Sequence, residues 1–230
     1  MNNQQTIERI RMKLAAKNPS IQNSIATQGY LRLMVTVNTG AALSGVQFNV
    51  LANQGTINAT EQRLPITDMF TITHWGLYLF RCLQTTTAAP TAAQIAGGKL
   101  FTNPNAGVFS AAGESALLMN VYNGNLQVTV DRERLIDGYD VYRFYRVGVA
   151  QDTVLSAVGG PYNADEWQGP NYGMAEVDPE ITLNGVGQND INVNFANPSN
   201  LTAASGNCNF LCLVARGIRW QNASKLNNQN

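Results

Sequence analysis

The chain has 230 residues, a formal net charge of zero, and 13% charged against 44% apolar residues. Charge at about half the usual share, with Lys and Arg not massed in a tail, excludes a whole-chain field that recruits nucleic acid. The polar surface must come from Asn, Gln, Thr and Ser, which suits burial against copies of the same chain, because neutral amides avoid the desolvation penalty of unpaired ions.

Met1 to Gln5 are polar, so no signal peptide is expected, and no apolar run approaches the roughly 20 residues of a membrane span. A soluble subunit is expected. Residues 6–17 predict the clearest helix. Thr6 suits an N-cap, Glu8 lies near the positive dipole end and Lys17 near the negative end. Ile7, Ile10 and Leu14 form a narrow apolar stripe, and Arg9, Arg11, Lys13 and Lys17 populate the rest. Asn18-Pro19-Ser20 ends it. Such a segment is either an arm docked on a neighbouring surface or a basic amphipathic helix facing an anionic layer of lipid or nucleic acid.

After the helix the period is that of a strand. Strands are predicted over 30–38, 46–51, 66–73, 75–83, 117–122, 126–130, 139–149, 181–183, 191–195 and 210–218. Gly, Asn and Pro punctuate at short intervals, the mark of an all-β sandwich or barrel. Two loops are long enough to be functional. The first, 84–99, has room for a helical turn around Ala92–Ala96. The second, 151–173, sets Tyr162, Trp167 and Tyr172 on a Gly/Pro frame, as at a protein interface or on a carbohydrate platform.

His74 is the single histidine, so no His-based triad or multi-histidine metal site is available within one chain. Glu176, Asp178 and Glu180 alternate and could align on one face, a calcium-like oxygen set interrupted by Pro179. Cys208 and Cys212 on one strand would lie about 13 Å apart, beyond the roughly 7 Å of a disulfide. All three cysteines are expected to be buried thiols in a reducing cytosol. Asp131-Arg132-Glu133-Arg134 alternates in sign, either as a solvated turn or as an ion-pair stitch between subunits through Arg132 and Arg134. No phosphate loop or nucleophile elbow is present, so no enzyme activity, cofactor or metal is expected.

A repeat organises this reading. Leu33–Asn38 recurs as Leu126–Asp131, and at the same offset Ala111, Gly113, Leu118, Val121 and Gly124 find Ala204, Gly206, Leu211, Val214 and Gly217. A tandem duplication predicts an N-terminal helix and arm (1–24), a first jelly roll (25–123), a second jelly roll (124–222) and a polar tail (223–230). Eight strands of about six residues with seven connections of about four to six fit each half. A seven-stranded immunoglobulin-type sandwich fits too.

Two tandem jelly rolls after an N-terminal helix, with few charges and an Asn-rich surface, resemble the double jelly-roll major capsid proteins of tailless icosahedral viruses. The size is similar to the smallest members, from membrane-containing bacteriophages of the corticovirus and Finnlake-virus kind. The resemblance implies a homotrimer whose six barrels make a pseudo-hexagonal tile, contacting neighbouring capsomers and minor capsid or penton proteins. It implies assembly in the host cytoplasm and residence in the virion, with no sequence-specific nucleic-acid contact. Ile7, Ile10, Leu14, Arg9, Arg11, Lys13 and Lys17 would then face inward, toward an internal membrane or a neighbour. Arg132, Arg134, Tyr162, Trp167 and Tyr172 would be intersubunit contacts. The alternative is a carbohydrate-binding β-sandwich attachment or fibre protein.

Overall fold

Alternation of buried and exposed residues builds two antiparallel sheets, packed face to face. The computed structural model describes residues 3–16, 19–85, 88–147 and 173–223. Nine strands occur among them: β1 (Ile25–Thr36), β2 (Leu43–Phe48), β3 (Met69–Leu83), β4 (Lys99–Phe101), β5 (Asn125–Val130), β6 (Glu133–Asp140), β7 (Ala175–Asn184), β8 (Asn189–Ser199) and β9 (Asn207–Gln221). One sheet runs β1-β9-β3, with β4 and β7 both paired to the free side of β3; the other runs β2-β8-β5-β6. Setting aside short β4, the eight remaining strands lie in the order first-eighth-third-sixth and second-seventh-fourth-fifth. That is the strand order of a single jelly roll, a sandwich of two four-stranded sheets.

The expected pair of tandem jelly rolls is therefore corrected. β1 is hydrogen-bonded to β9 along its whole length, from Ile25 opposite Gln221 to Thr36 opposite Phe210. β2 pairs with β8. Both sheets thus mix strands from either side of the expected 123/124 boundary, and one apolar core runs from Leu31 to Ala215. The repeat itself has no structural counterpart. Leu33 lies in β1 of one sheet and Leu126 in β5 of the other. The second matching block sets helix α3 (Glu114–Tyr122) against strand β9. Shared Ala, Val, Leu and Gly content produced the echo.

Residues 66–73 and 75–83 form one strand, not two. On β3 the inward side chains are Phe70 and Ile72, then Trp75, Leu77 and Leu79. The parity changes because the register slips between Ile72 and His74 against both β7 and β9. One extra residue in a strand flips every later side chain to the other face. Gly217 makes room for that bulge. A Cβ there would lie 1.8 Å from the Thr71 carbonyl oxygen, in a β9 that carries side chains almost everywhere else.

Leu117–Tyr122 is helical. Leu118, Val121 and Tyr122 are the buried members, a spacing of three and four. Gly113, at φ 78°, turns the chain into the helix, and Glu114 occupies its first turn. The second sheet ends at β6, which takes in 139 and 140 of the strand expected over 139–149; Val141–Phe144 then make a 3-10 turn, 145–147 are not strand, and 148–149 lie outside the described residues. Trp75, Tyr139 and Phe144 close that flank, with Trp75 edge-on to Tyr139 at 5.1 Å and Tyr139 stacked on Phe144 at 5.3 Å between centroids.

Candidate functional site

The outward face of the five-stranded sheet is apolar, and three separate devices deal with it. On β3 the outward residues include Tyr78, Phe80 and Cys82, and on β9 Phe210, Cys212, Ile218 and Trp220. An outward sheet face this apolar must be covered or left as a binding surface.

At one end it is covered by helix α1 (Asn3–Ala15), which begins three residues before the expected Thr6 cap. Ile10 is buried, and Ile7 and Leu14 pack beside it, against Ile21, Met69, Ile218, Trp220 and Ala223. The predicted stripe is therefore correct in composition, and it docks on the chain's own sandwich. Arg9 forms an ion pair with Glu180 on β7, Lys13 Nζ lies 3.6 Å from the same carboxylate, and Arg11 stacks over Trp220 at 5.7 Å and reaches Glu8 at 3.7 Å. Three of the four cations proposed to face lipid or a neighbour thus have partners on this chain. Lys17 lies outside the described residues.

At the other end, α2 (Ala92–Ala96) and the loop after β2 provide the cover. Ile95 of α2 inserts among Phe80, Cys82, Cys208 and Phe210. A reciprocal cap holds α2: Gln94 N–H donates to Thr91 Oγ1, and Thr91 N–H donates to Gln94 Oε1. The loop is fixed by a buried ion pair. Arg63 Nε donates to Glu61 Oε1 at 2.9 Å, with both side chains almost wholly excluded from solvent. Arg63 also donates to the carbonyl oxygens of Gln54 and Thr56. Glu61 accepts from the backbone N–H of Met34 at 3.0 Å and of Asn58 at 2.9 Å. Burial pushes the nearby Cys212 thiol up to about 12, against the opposing pull of Arg32.

Between these covers lies a groove of about 610 Å³, bounded by Thr6 and Ile7 of α1 and floored by Gln28, Tyr30, Val214 and Arg216. Tyr30 is half-exposed on the edge strand β1.

Asp68 closes the end of the sandwich that carries α1. Arg219 Nε donates to its Oδ2 at 2.5 Å and the Asn222 N–H to its Oδ1 at 3.0 Å. Burial alone would raise this carboxyl, but the hydrogen bonds from Asn222, Arg219 and Thr67 outweigh it, and the net shift is below the ordinary 3.8. A depressed folded pKa gives a contribution that is complete above the ordinary value and disappears as pH falls through the folded one. Asp68→Asn should therefore destabilise most at neutral pH, and the gap to wild type should close on acidification below the ordinary carboxyl range. Urea midpoints of both proteins across acidic pH measure it.

The other expected residues separate. Arg132 and Asp131 are the two central residues of the β5–β6 hairpin turn, both at positive φ, as a two-residue type I′ turn requires. Asp131 caps the adjoining β7–β8 turn by accepting from Gln188 N–H at 3.1 Å. Arg134 reaches Asp137 at 2.6 Å along the same exposed strand. Tyr162, Trp167 and Tyr172 lie outside the described residues. Glu176 and Glu180 sit with Asp178 along β7, Glu180 being occupied by Arg9 and Lys13. No group of three or more metal-binding side chains occurs among the described residues. His74 sits at the β3 bulge, with its Nδ1 3.2 Å from Thr73 Oγ1.

The sequence reading missed two features of this face. One is the Glu61–Arg63 pair, whose signal is an alternating Glu-x-Arg beside a predicted strand. The other is the register pairing of Cys82 with Cys208, for which a single sequence holds no signal. No protein-family model matches the chain, and no curated protein matches it in sequence.

Proposed function

We propose that this chain is a structural shell subunit, a major capsid protein that self-associates into an icosahedral virion shell in the host cytoplasm. The observation that carries the reading is where the charges go. The buried or part-buried pairs Glu61–Arg63, Glu114–Arg81 and Asp68–Arg219, and the largely buried Glu180 with the more exposed Arg9 and Lys13, bind part of the few ions to partners inside the chain. The outer surface is thereby left richer still in neutral amides. Exposed Met12, Ile25, Tyr30, Ile66 and Val186 add apolar area. Neutral amides and apolar side chains are what repeated chain-to-chain burial tolerates at least cost. The jelly-roll order supports the same reading by analogy of fold alone.

With one sandwich per chain, a six-barrel tile needs six copies, and a homotrimer presents three. We place the repeating unit at one sandwich per protomer, with neighbouring capsomers and minor or penton proteins as further partners. No described helix is long and apolar enough to cross a membrane.

Light scattering and negative-stain electron microscopy of the purified chain test this. Uniform oligomers that tile or close into shells are expected; a protein that stays monomeric at every concentration removes the proposal. Reversing Arg132 and Arg134 to Glu should lower particle yield while shifting monomer stability by no more than about 0.5 kcal/mol, as for other exposed surface changes. Normal particle yield from that variant removes the hairpin from the contact.

A further inference from the structure

Cys82 on β3 and Cys208 on β9 are directly opposite in the antiparallel register. Both belong to the outward apolar cluster with Phe80, Ile95 and Phe210, so both side chains leave the sheet on the same face. The Gln84 N–H donates to the Gly206 carbonyl at 3.0 Å, and alternation along the ladder makes the Cys82–Cys208 position, two residues inward, a hydrogen-bonded pair. Such pairs have Cα atoms about 5.5 Å apart, inside the window of roughly 4.4–6.8 Å that a disulfide accepts. Both are free, buried thiols. Cys212 is opposite Tyr78 and Met34, out of reach of either.

We propose that Cys82 and Cys208 are a reversible cross-strand redox pair that closes to an intrachain disulfide when a small two-electron oxidant of the peroxide class reaches it. The route of entry is a cavity of about 320 Å³ lined by Cys208 with Thr36, Asn38, Gln84 and Ile95. The Cys208 thiolate attacks one peroxide oxygen and the O–O bond breaks. The departing hydroxide takes up the thiol proton as water, leaving a sulfenic acid. The Cys82 sulfur then attacks the Cys208 sulfur, the S–O bond breaks, and a second water leaves with the Cys82 proton. Two thiols are oxidised by two electrons and one peroxide is reduced to two waters.

Two features make the pair a latch and not a permanent staple. Directly opposite Cβ atoms lie about 4.5–5.5 Å apart, whereas a relaxed disulfide wants roughly 3.5–4.5 Å, so closure strains the ladder and strained bridges reduce readily. Burial, reinforced by the neighbouring Cys82, pushes the Cys208 thiol up to about 11, so the thiolate that starts the reaction is scarce and closure is slow, needing more oxidant than a reducing compartment sustains. This inference is independent of the shell reading, since it concerns one folded chain.

The test is peroxide treatment of the folded protein, followed by alkylation and peptide mapping. A Cys82–Cys208 linked peptide with the loss of two hydrogens is expected, with Cys212 still alkylated and the link undone by mild reductant without unfolding. Cys212→Ser should form the same link, and Cys82→Ser should stop at oxidised Cys208. Three alkylated thiols after treatment, oxygen addition without a bridge, or a link between chains or to Cys212 would each overturn the proposal. Because the wild-type map decides it alone, a variant that fails to fold does not blunt the test.

Discussion

Replacing Glu61 with alanine should lower unfolding stability by about 3–5 kcal/mol, the usual cost of stranding a buried charge. The carboxylate is wholly buried and accepts from the Arg63 guanidinium, the Met34 N–H and the Asn58 N–H and side-chain amide. Its removal leaves a desolvated guanidinium on two backbone carbonyls with no counter-charge, and it frees a β1 N–H. The loop between β2 and β3 would peel from the edge of β1, because its two bridging hydrogen bonds, between Arg32 and Gln62, sit beside the lost group. The companion variant separates charge from shape. Glu61→Ala with Arg63→Met removes both ions and should recover much of the loss, as buried pairs replaced together by apolar residues often do. Guanidinium titrations with unchanged slope would establish that stability, and not denatured-state compactness, has moved. A double variant no better than Glu61→Ala would mean that the loop is held by the backbone hydrogen bonds of these residues rather than by the pair.

How much of this architecture was legible in the sequence depended on whether a local rule decided the element. The turn at Ala92–Ala96 was legible from its Ala-rich composition, and the structure adds that Thr91 with Gln94 caps its N-terminal end. β5 and β8 were legible because one buried face gives a clean period of two, and β9 because its two covered faces give a short, nearly unbroken apolar run. Leu117–Tyr122 was not, since a short run of Leu-Leu-Met with few polar breaks suits strand and helix equally. Only burial of Leu118, Val121 and Tyr122 against β8 decides it. The break between 66–73 and 75–83 was a real signal with the wrong meaning: the hydrophobic parity does change at His74, through a bulge within one strand. The tandem-repeat reading failed for a deeper reason. Pairing in this sandwich is almost wholly non-local, β1 with β9 and β2 with β8, and a single sequence has no term that reports which distant strands meet. For the candidate surface, the apolar stripe of α1 was legible and its docking partner was not, because Trp220 and Glu180 reach it only through the β9 and β7 positions in the sheet.

Removing residues 1–16 should strip the cover from Trp220, Ile218 and Met69, and the expected result is a chain that binds hydrophobic dyes and aggregates at concentrations where the full chain does not. The stripe of α1 has one set of apolar side chains, and Ile10, Ile7 and Leu14 are already committed to the sheet. Burying a single Ile side chain fully is worth about 1.5–3 kcal/mol, so undocking the helix to reach a bilayer must first forfeit that sum and the contacts of Arg9 and Lys13 with Glu180. Trp220 is the anchor of the arrangement. It is fully buried, and its indole N–H donates to Thr71 Oγ1 at 2.9 Å, so Trp220→Ala should cost about 3–5 kcal/mol and loosen α1 selectively. Hydrogen exchange would show that loosening as faster exchange over residues 3–15 than over β5 and β8. Liposome flotation with anionic vesicles then discriminates the two roles of the helix. A docked helix predicts negligible flotation for the full chain, and the chain lacking residues 1–20, with its apolar sheet face bared, serves as the comparison that isolates helix-dependent binding. Flotation of the full chain alone would show that the bilayer outcompetes Trp220 and that the helix is a membrane-facing element after all.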